Sequence, residues 1–224
     1  MLLLHGALGS KEQFVPLQER LSFEREVFIM DFEGHGKSQS EYDFSIQLFT
    51  QNVIDFLKAK KISKVDIFGY SMGGYVALNL AKDNPNLVGK IITLGTKFEW
   101  TPDFAKKEIK MLNPNVIEMK VPVFAERLAH LHRTENWKSV VLKTAKMMKY
   151  LGENPILSEA DFHKISNKTL ILLGELDIMS TEHESKFVSN LLQNGRFKQI
   201  ENLKHPIESA PVEKIAAIIS DFLK

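Results

Sequence analysis

Residues 65–77 carry the sequence VDIFGYSMGGYVA, which reads as a buried strand, a sharp turn and the beginning of a helix. Within it, Gly69, Ser71 and Gly73 form the pattern Gly-x-Ser-x-Gly that is typical of a nucleophile elbow. A serine raised on such a turn has a strained backbone, and its neighbours must approach closely without Cβ atoms. The pattern also occurs by chance, but here an apolar run precedes it and a helical pattern follows it. We therefore predict that Ser71 is a catalytic nucleophile rather than part of a structural glycine-rich turn.

The residues that would activate this serine lie in two later loops. A serine hydroxyl is a poor nucleophile at neutral pH, so it needs a base, and the base needs an acid to orient it. His205 follows the last predicted strand, and Asp177 follows the strand before it. Because the carboxyl ends of parallel strands meet at one edge of a sheet, we predict a catalytic triad of Ser71, Asp177 and His205. Glu175 and Glu99 stay open as alternative acids, since both also lie near strand ends.

The same chemistry needs two backbone N–H donors for the oxyanion of the tetrahedral intermediate. Met72 follows the nucleophile, and Ala7 lies in the loop after an apolar run that reads as the first strand. We predict that the N–H groups of Ala7 and Met72 form the oxyanion hole. Apolar residues at helical spacing serve packing more often than binding. With that alternative open, the predicted lining of a substrate pocket is Leu8, Tyr75, Phe98, Trp100, Phe124 and Met148.

Strands and helices alternate on both sides of the elbow, which indicates an α/β fold with a mostly parallel sheet and helices on both faces. Between residues 98 and 167 the strands stop, and helical patterns interrupted by prolines replace them. We predict a core of residues 1–97 and 168–224, with residues 98–167 inserted in it as an all-helical cap. The patterns Ser10-x-x-Gln13 and Thr181-x-x-Glu184 predict two helix starts with capping boxes. The helices predicted in the cap are residues 104–111, 121–132, 137–151 and 159–165.

Composition restricts the class of protein only broadly. The chain has 224 residues, enough for one sizeable domain, and a formal net charge of +1. No basic block or basic amphipathic stretch indicates nucleic acid or a membrane surface as a partner. The sequence has no cysteine, which suits a reducing compartment, and the apolar residues 1–4 are too few for a signal peptide or a spanning helix. We therefore expect a cytoplasmic protein.

The histidines other than His205 give weaker signals. His5 and His35 are expected to hold their loops in shape through hydrogen bonds, and His130 and His132 to be solvated positions on a cap helix. No pair of histidines has a spacing that indicates metal ligands, so no metal and no cofactor are predicted.

Five motifs in chain order resemble those of the α/β-hydrolase fold superfamily over nearly the whole chain. They are HGALGS at 5–10, DFEGHGKS at 31–38, GYSMGG at 69–74, GELD at 174–177 and KHP at 204–206. The resemblance implies a serine-nucleophile, esterase-like member whose helical cap lies over the nucleophile. Family members usually carry two or more strands before the His-Gly strand, in which this sequence begins. About six strands are therefore expected, with the strand at 26–32 on an exposed edge, in a monomer or an edge-paired homodimer.

The expected activity is that of a serine hydrolase, a carboxylesterase acting on a small ester, without a cofactor. Other reactions of the same fold stay open, namely lyase and carbon–carbon bond hydrolase chemistry. Residues 5–10 and 69–74 also resemble the menaquinone-pathway lyase of this fold, but that family usually has an arginine where this chain has Tyr75. A non-enzymatic ligand receptor with an unused triad is a third alternative. An aspartate nucleophile is excluded because the elbow carries Ser71, and the motifs do not define the acyl group or the alcohol.

Overall fold

The computed structural model describes residues 1–133 and 136–224, and these contain a six-stranded sheet with helices on both faces. Its strands are β1 (Leu2–Leu4), β2 (Phe28–Met30), β3 (Val65–Tyr70), β4 (Val88–Leu94), β5 (Thr169–Leu176) and β6 (Gly195–Lys204). Their spatial order is β2-β1-β3-β4-β5-β6, and every neighbouring pair is parallel. This confirms the predicted parallel α/β architecture. The three-residue strand β2 is an edge, as expected, whereas edge-to-edge dimerisation stays a prediction.

The helices alternate with the strands and cover both faces of the sheet. They are α1 (Val15–Ser22), α2 (Ile46–Ala59), α3 (Met72–Asp83), α4 (Pro102–Ile109), α5 (Pro114–Lys120), α6 (Pro122–Leu131), α7 (Trp137–Glu153), α8 (Glu159–Lys164), α9 (Glu182–Leu191) and α10 (Val212–Leu223). Short 3-10 helices occupy Lys11–Phe14, Pro85–Leu87 and Ile207–Ser209. Within the described residues, no helix combines the length and the apolar character needed to cross a membrane.

The central strand β3 shows why the sheet is buried on both faces. Its successive side chains alternate between the faces, so Ile67 packs in the core beneath α2 and α3, and Phe68 packs in the core beneath α1 and α10. Both side chains are fully buried. A strand that is apolar at consecutive positions therefore lies between two helical layers, as parallel sheets require. This packing fixes the carboxyl end of β3, where the nucleophile elbow begins.

The described part of residues 98–167 carries five helices and no strand; residues 134 and 135 of the predicted cap lie outside the described residues. The sequence patterns do not predict α5, because Pro114 there indicates a helix break. Proline is tolerated in the first turn of a helix, and Asn113 accepts hydrogen bonds there from two backbone N–H groups. Whether these helices form a separate cap unit stays a prediction.

One of the two predicted capping boxes was wrong. At Thr181 both reciprocal hydrogen bonds with Glu184 are present. At Ser10 the hydroxyl accepts from the backbone N–H of Glu12, and the Gln13 side chain instead donates to Glu208. The reason is tertiary, because the loop that holds Glu208 packs beside this turn and offers Gln13 a carboxylate.

Candidate active site

Ser71 lies at the turn between β3 and α3 with φ 50° and ψ −117°, a conformation that non-glycine residues rarely adopt. Its backbone N–H donates to the carbonyl of Leu94 at 2.8 Å, which ties the turn to the end of β4. A Cβ at Gly69 would clash with the backbone of Gly73 and Gly74, and one at Gly73 would clash with the backbone of β1. The glycines of the motif are thus required by close backbone packing around the raised serine.

Asp177 and His205 lie against each other. The Nδ1 of His205 is 2.7 Å from Oδ2 of Asp177, and these side chains are 12% and 1% exposed. The other carboxylate oxygen of Asp177 accepts from the backbone N–H groups of Met179 at 2.8 Å and Ser180 at 3.1 Å. Three hydrogen bonds therefore hold the carboxylate, and the imidazole that it orients can expose Nε2 as a base.

The two other acids that the sequence left open lie elsewhere. Glu175 is exposed, and its carboxylate accepts from the backbone N–H of Asn202 at 2.9 Å. Glu99 is also exposed. The carboxylate that contacts His205 is therefore that of Asp177.

Gly95, which the sequence analysis did not single out, lies between the serine and the Asp–His pair. Its φ is +61°, and a Cβ there would lie 3.0 Å from Oδ2 of Asp177 and 3.2 Å from Nδ1 of His205. The next residue, Thr96, donates its hydroxyl to the carbonyl of Ser71 at 3.0 Å. The end of β4 therefore brings the elbow and the Asp–His pair together, and the glycine leaves room for the pair. A glycine directly after an apolar strand was the available sequence signal.

The Asp177–His205 pair lies near the elbow but makes no hydrogen bond to the serine hydroxyl among the described contacts. Among the hydrogen bonds of the described residues, none joins Oγ of Ser71 to His205. Such hydrogen bonds are often long in free enzymes and tighten only when substrate binds.

The predicted oxyanion donors share one small cavity with the serine. Ala7, Ser71 and Met72 line a space of about 30 Å³ together with Tyr75, Trp100 and Met148. Met72 is the first residue of α3, so its N–H has no acceptor within the helix, and the positive end of the helix dipole lies beside it. The arrangement suits the stabilisation of a developing oxyanion.

The structure places the other three predicted pocket residues outside this cavity. Leu8 packs towards an apolar cluster of the cap, and Phe98 is buried with its ring 6.1 Å from the ring of Phe162. Phe124 lies on α6 and is 38% exposed. Their apolar character is evident from the sequence, but the sequence does not define which apolar side chains face Ser71.

Two polar groups at the cavity have partners within the chain. Lys97 lines the cavity, and its Nζ lies 2.8 Å from the buried carboxylate of Glu184. The hydroxyl of Tyr75 accepts from the backbone N–H of Leu157 at 3.1 Å, and burial raises the pKa of this phenol to about 12. At the position where the lyase family usually has an arginine, this chain therefore has a neutral side chain that links α3 to the segment after α7.

Three buried histidines pack side by side behind the loop of Ala7. The ring of His35 lies 5.1 Å from that of His5 and 5.6 Å from that of His132. His5 donates from Nδ1 to the carbonyl of Gly6 at 2.8 Å and accepts at Nε2 from Phe32 at 3.1 Å. His132 is 1% exposed, so its interpretation as a solvated position was wrong. Among the described residues, no three His, Asp or Glu side chains converge as metal ligands.

The stability of the protein is expected to fall as the pH falls from 6.5 towards 4. Burial lowers the pKa of His5 to about 4 from 6.5, so between these values the unfolded chain binds a proton that the folded chain does not. The loss is complete below the folded pKa and amounts to about 3 kcal/mol for His5. His35, whose pKa is also lowered by burial, contributes with the same sign.

Urea unfolding at several pH values measures this dependence. A His5→Gln variant is expected to show a shallower pH dependence, whereas His163→Gln, at an exposed position, is expected to parallel the wild type. Equal stability at pH 7 and pH 4.5 would contradict the assignment of a neutral His5.

The fold and this site define an α/β protein with a nucleophile elbow. The family model described as alpha/beta hydrolase fold matches residues 1–114, about half of the chain, and the chain belongs to that family. Its curated relatives include a probable alcohol acetyltransferase of Cyberlindnera jadinii, 25% identical over 100% of this chain and 62% of the relative. They also include a putative esterase/lipase 2 of Mycoplasma genitalium, 27% identical over 82% of this chain and 74% of the relative.

Solved structures agree with this fold. A putative lipase of Acinetobacter baumannii superimposes with a TM-score of 0.80 at 21% identity, covering 99% of this chain and 82% of that chain. This chain spans only 62% and 60% of the length of two acetyltransferase relatives. The family match and the superposition together show the α/β-hydrolase fold.

Proposed function

We propose that this protein is a serine hydrolase that cleaves small carboxylic esters through the triad Ser71, His205 and Asp177. The observation that carries the proposal is the hydrogen-bonded Asp177–His205 pair, which packs against Gly95 beside the elbow of Ser71. A nucleophile, a base and an orienting acid are the groups that acyl transfer by a serine triad uses. The esterase- and lipase-like relatives support the same class of reaction.

In the first half of the reaction, Nε2 of His205 takes the proton of the Ser71 hydroxyl while Oγ attacks the ester carbonyl. The N–H groups of Ala7 and Met72 stabilise the oxyanion, and Asp177 stabilises the imidazolium. The intermediate then collapses, and the leaving alkoxide takes the proton from His205. In the second half a water molecule attacks the acyl-enzyme in the same way, which releases the carboxylic acid and the free serine.

A short acyl group fits the cavity best. The cavity has a volume of about 30 Å³, which leaves room for about one small group without rearrangement. Several methionines line it, including Met147, Met148 and Met179, and their flexible side chains can shift to admit a few more carbon atoms. The neutral, cap-bound Tyr75 supports an ester rather than the carboxylate-rich substrate of the resembling lyase.

A second candidate is acyl transfer to an alcohol, in which the alcohol replaces water in the second half-reaction and a new ester leaves. Two relatives that align over the whole of this chain favour it, because both are named as probable alcohol acetyltransferases. The small, mostly apolar cavity also favours it, because a site that excludes water gives an alcohol the advantage as acyl acceptor.

One experiment tests both candidates. The wild-type protein is incubated with p-nitrophenyl acetate with and without ethanol, and p-nitrophenol, acetate and ethyl acetate are quantified. We expect saturable p-nitrophenol release from the acetyl ester and slower release when the octanoyl ester replaces it. Acetate as the main product in ethanol supports the hydrolase, and ethyl acetate as the main product supports the transferase. Absence of p-nitrophenol release by the folded protein would contradict both candidates.

A further inference from the structure

His132 follows the cap helix α6, yet its imidazole is buried against two loops of the core. The backbone N–H of Gly36 donates to Nδ1 at 3.0 Å, and Nε2 lies 3.1 Å from the carbonyl oxygen of Leu8. Because Nδ1 accepts a hydrogen bond, the proton of the neutral ring is on Nε2, which donates to Leu8. The two contacts therefore select one tautomer and one ring orientation.

The contact with Leu8 leads directly to the predicted oxyanion donor. The carbonyl of Leu8 and the N–H of Gly9 belong to one peptide group, and that N–H donates to the carbonyl of Gly6 at 3.1 Å. The carbonyl of Gly6 and the N–H of Ala7 belong to the next peptide group in this relay. Two hydrogen bonds and two peptide groups thus connect the His132 ring to the N–H of Ala7. Hydrogen bonds in such a line align and polarise one another.

The loop needs this support because its own backbone is strained. Leu8 has φ 59°, which is unfavourable for a residue with a branched side chain. Its side chain packs against the cap cluster that contains Leu128 of α6, and His5 provides a second hydrogen bond to the carbonyl of Gly6. The cap and the histidines together hold the loop in a conformation that it would not keep alone.

We propose that His132 is a positioning residue that sets the direction of the Ala7 N–H in the oxyanion hole through the Leu8–Gly9 and Gly6–Ala7 peptide groups. This inference rests on the proposed function. It gives the cap a second role besides covering the serine, since the oxyanion hole is complete only when α6 is seated on the core. His132 itself does not touch the substrate.

The test separates the two hydrogen bonds of the ring. In His132→Gln the amide nitrogen reaches the position of Nε2 and can donate to Leu8, whereas in His132→Asn the shorter side chain can accept from Gly36 but not donate to Leu8. His132→Phe keeps the ring volume without either hydrogen bond. The control is His130→Asn, because His130 is exposed on α6, two positions before His132. The measurements are kcat and KM for p-nitrophenyl acetate, together with thermal unfolding midpoints.

We expect His132→Asn and His132→Phe to lower kcat about 10- to 100-fold, because a small displacement of a catalytic donor has effects of this size. Their KM should change less than about twofold, because the donor acts mainly on the transition state. His132→Gln is expected to keep kcat within about threefold, because it restores the donor to Leu8. The control should equal the wild type.

Three results would overturn the inference. The first is a kcat near the wild-type value in folded His132→Phe. The second is an equal loss of kcat in His132→Gln and His132→Asn. The third is that His132→Gln folds while both His132→Asn and His132→Phe fail to fold, which would indicate a purely structural role. Failure of the proposed function is distinguishable, because the wild-type protein itself would then release no p-nitrophenol, and the inference would fall with it.

Discussion

Replacement of Asp177 by Asn is expected to lower kcat about 10⁴-fold with little change in KM, because the substitution selects the wrong tautomer of the base. The Asn oxygen can still accept from the N–H groups of Met179 and Ser180, which leaves its amide nitrogen towards His205. The amide donates to Nδ1, so the imidazole proton moves to Nε2. That nitrogen can then no longer take the proton of Ser71.

The matched control is Glu175→Gln, an amide substitution of an exposed carboxylate two positions away. Glu175 accepts from the backbone N–H of Asn202, which an amide oxygen can replace. We expect its kcat to stay within about twofold of the wild-type value, as for an exposed site away from the chemistry. The test measures kcat and KM on p-nitrophenyl acetate and the thermal unfolding midpoints of the wild type, Asp177→Asn and Glu175→Gln. A larger loss in Glu175→Gln than in Asp177→Asn would assign the acid to Glu175.

Replacement of Ser71 by Ala is expected to remove at least about 10⁴-fold of the turnover, because no acyl-enzyme can form. Labelling by a fluorophosphonate probe should disappear at the same time, since the probe reacts only with an activated serine. The fold should persist. The strained conformation at this turn is set by its tight backbone packing. The side chain of alanine is smaller than that of serine, so it introduces no clash there.

Ser63→Ala is the control for this variant. Ser63 is exposed in the turn before β3, at the opposite end of the strand that leads into Ser71. Its substitution should leave both labelling and turnover intact. Turnover that survives in Ser71→Ala would place the nucleophile elsewhere. Labelling without turnover in the wild type would instead favour a ligand receptor that contains an activated serine.

The sequence was sufficient for the parts of this site that depend on local backbone chemistry. The glycines around Ser71 predict a tight strand–turn–helix, because the close packing there excludes Cβ atoms. Asp177 and His205 directly follow the neighbouring strands β5 and β6, and parallel strands of one sheet end at the same edge. The order of the motifs along the chain therefore predicted both the architecture and the residues that the structure brings together.

The remaining features depend on contacts between distant segments, which local patterns do not encode. Gly95 matters because a side chain there would meet Asp177 and His205, which lie 82 and 110 positions further along the chain. The choice between Met148, which lines the cavity, and Phe124, which does not, depends on how the cap helices dock. His132 was expected on the surface, because only the folded chain places Leu8 and Gly36 around its ring. Local chemistry thus determined the proposed catalytic groups, whereas tertiary packing determined the shape of the cavity beside Ser71 and the contacts that hold the loop of Ala7.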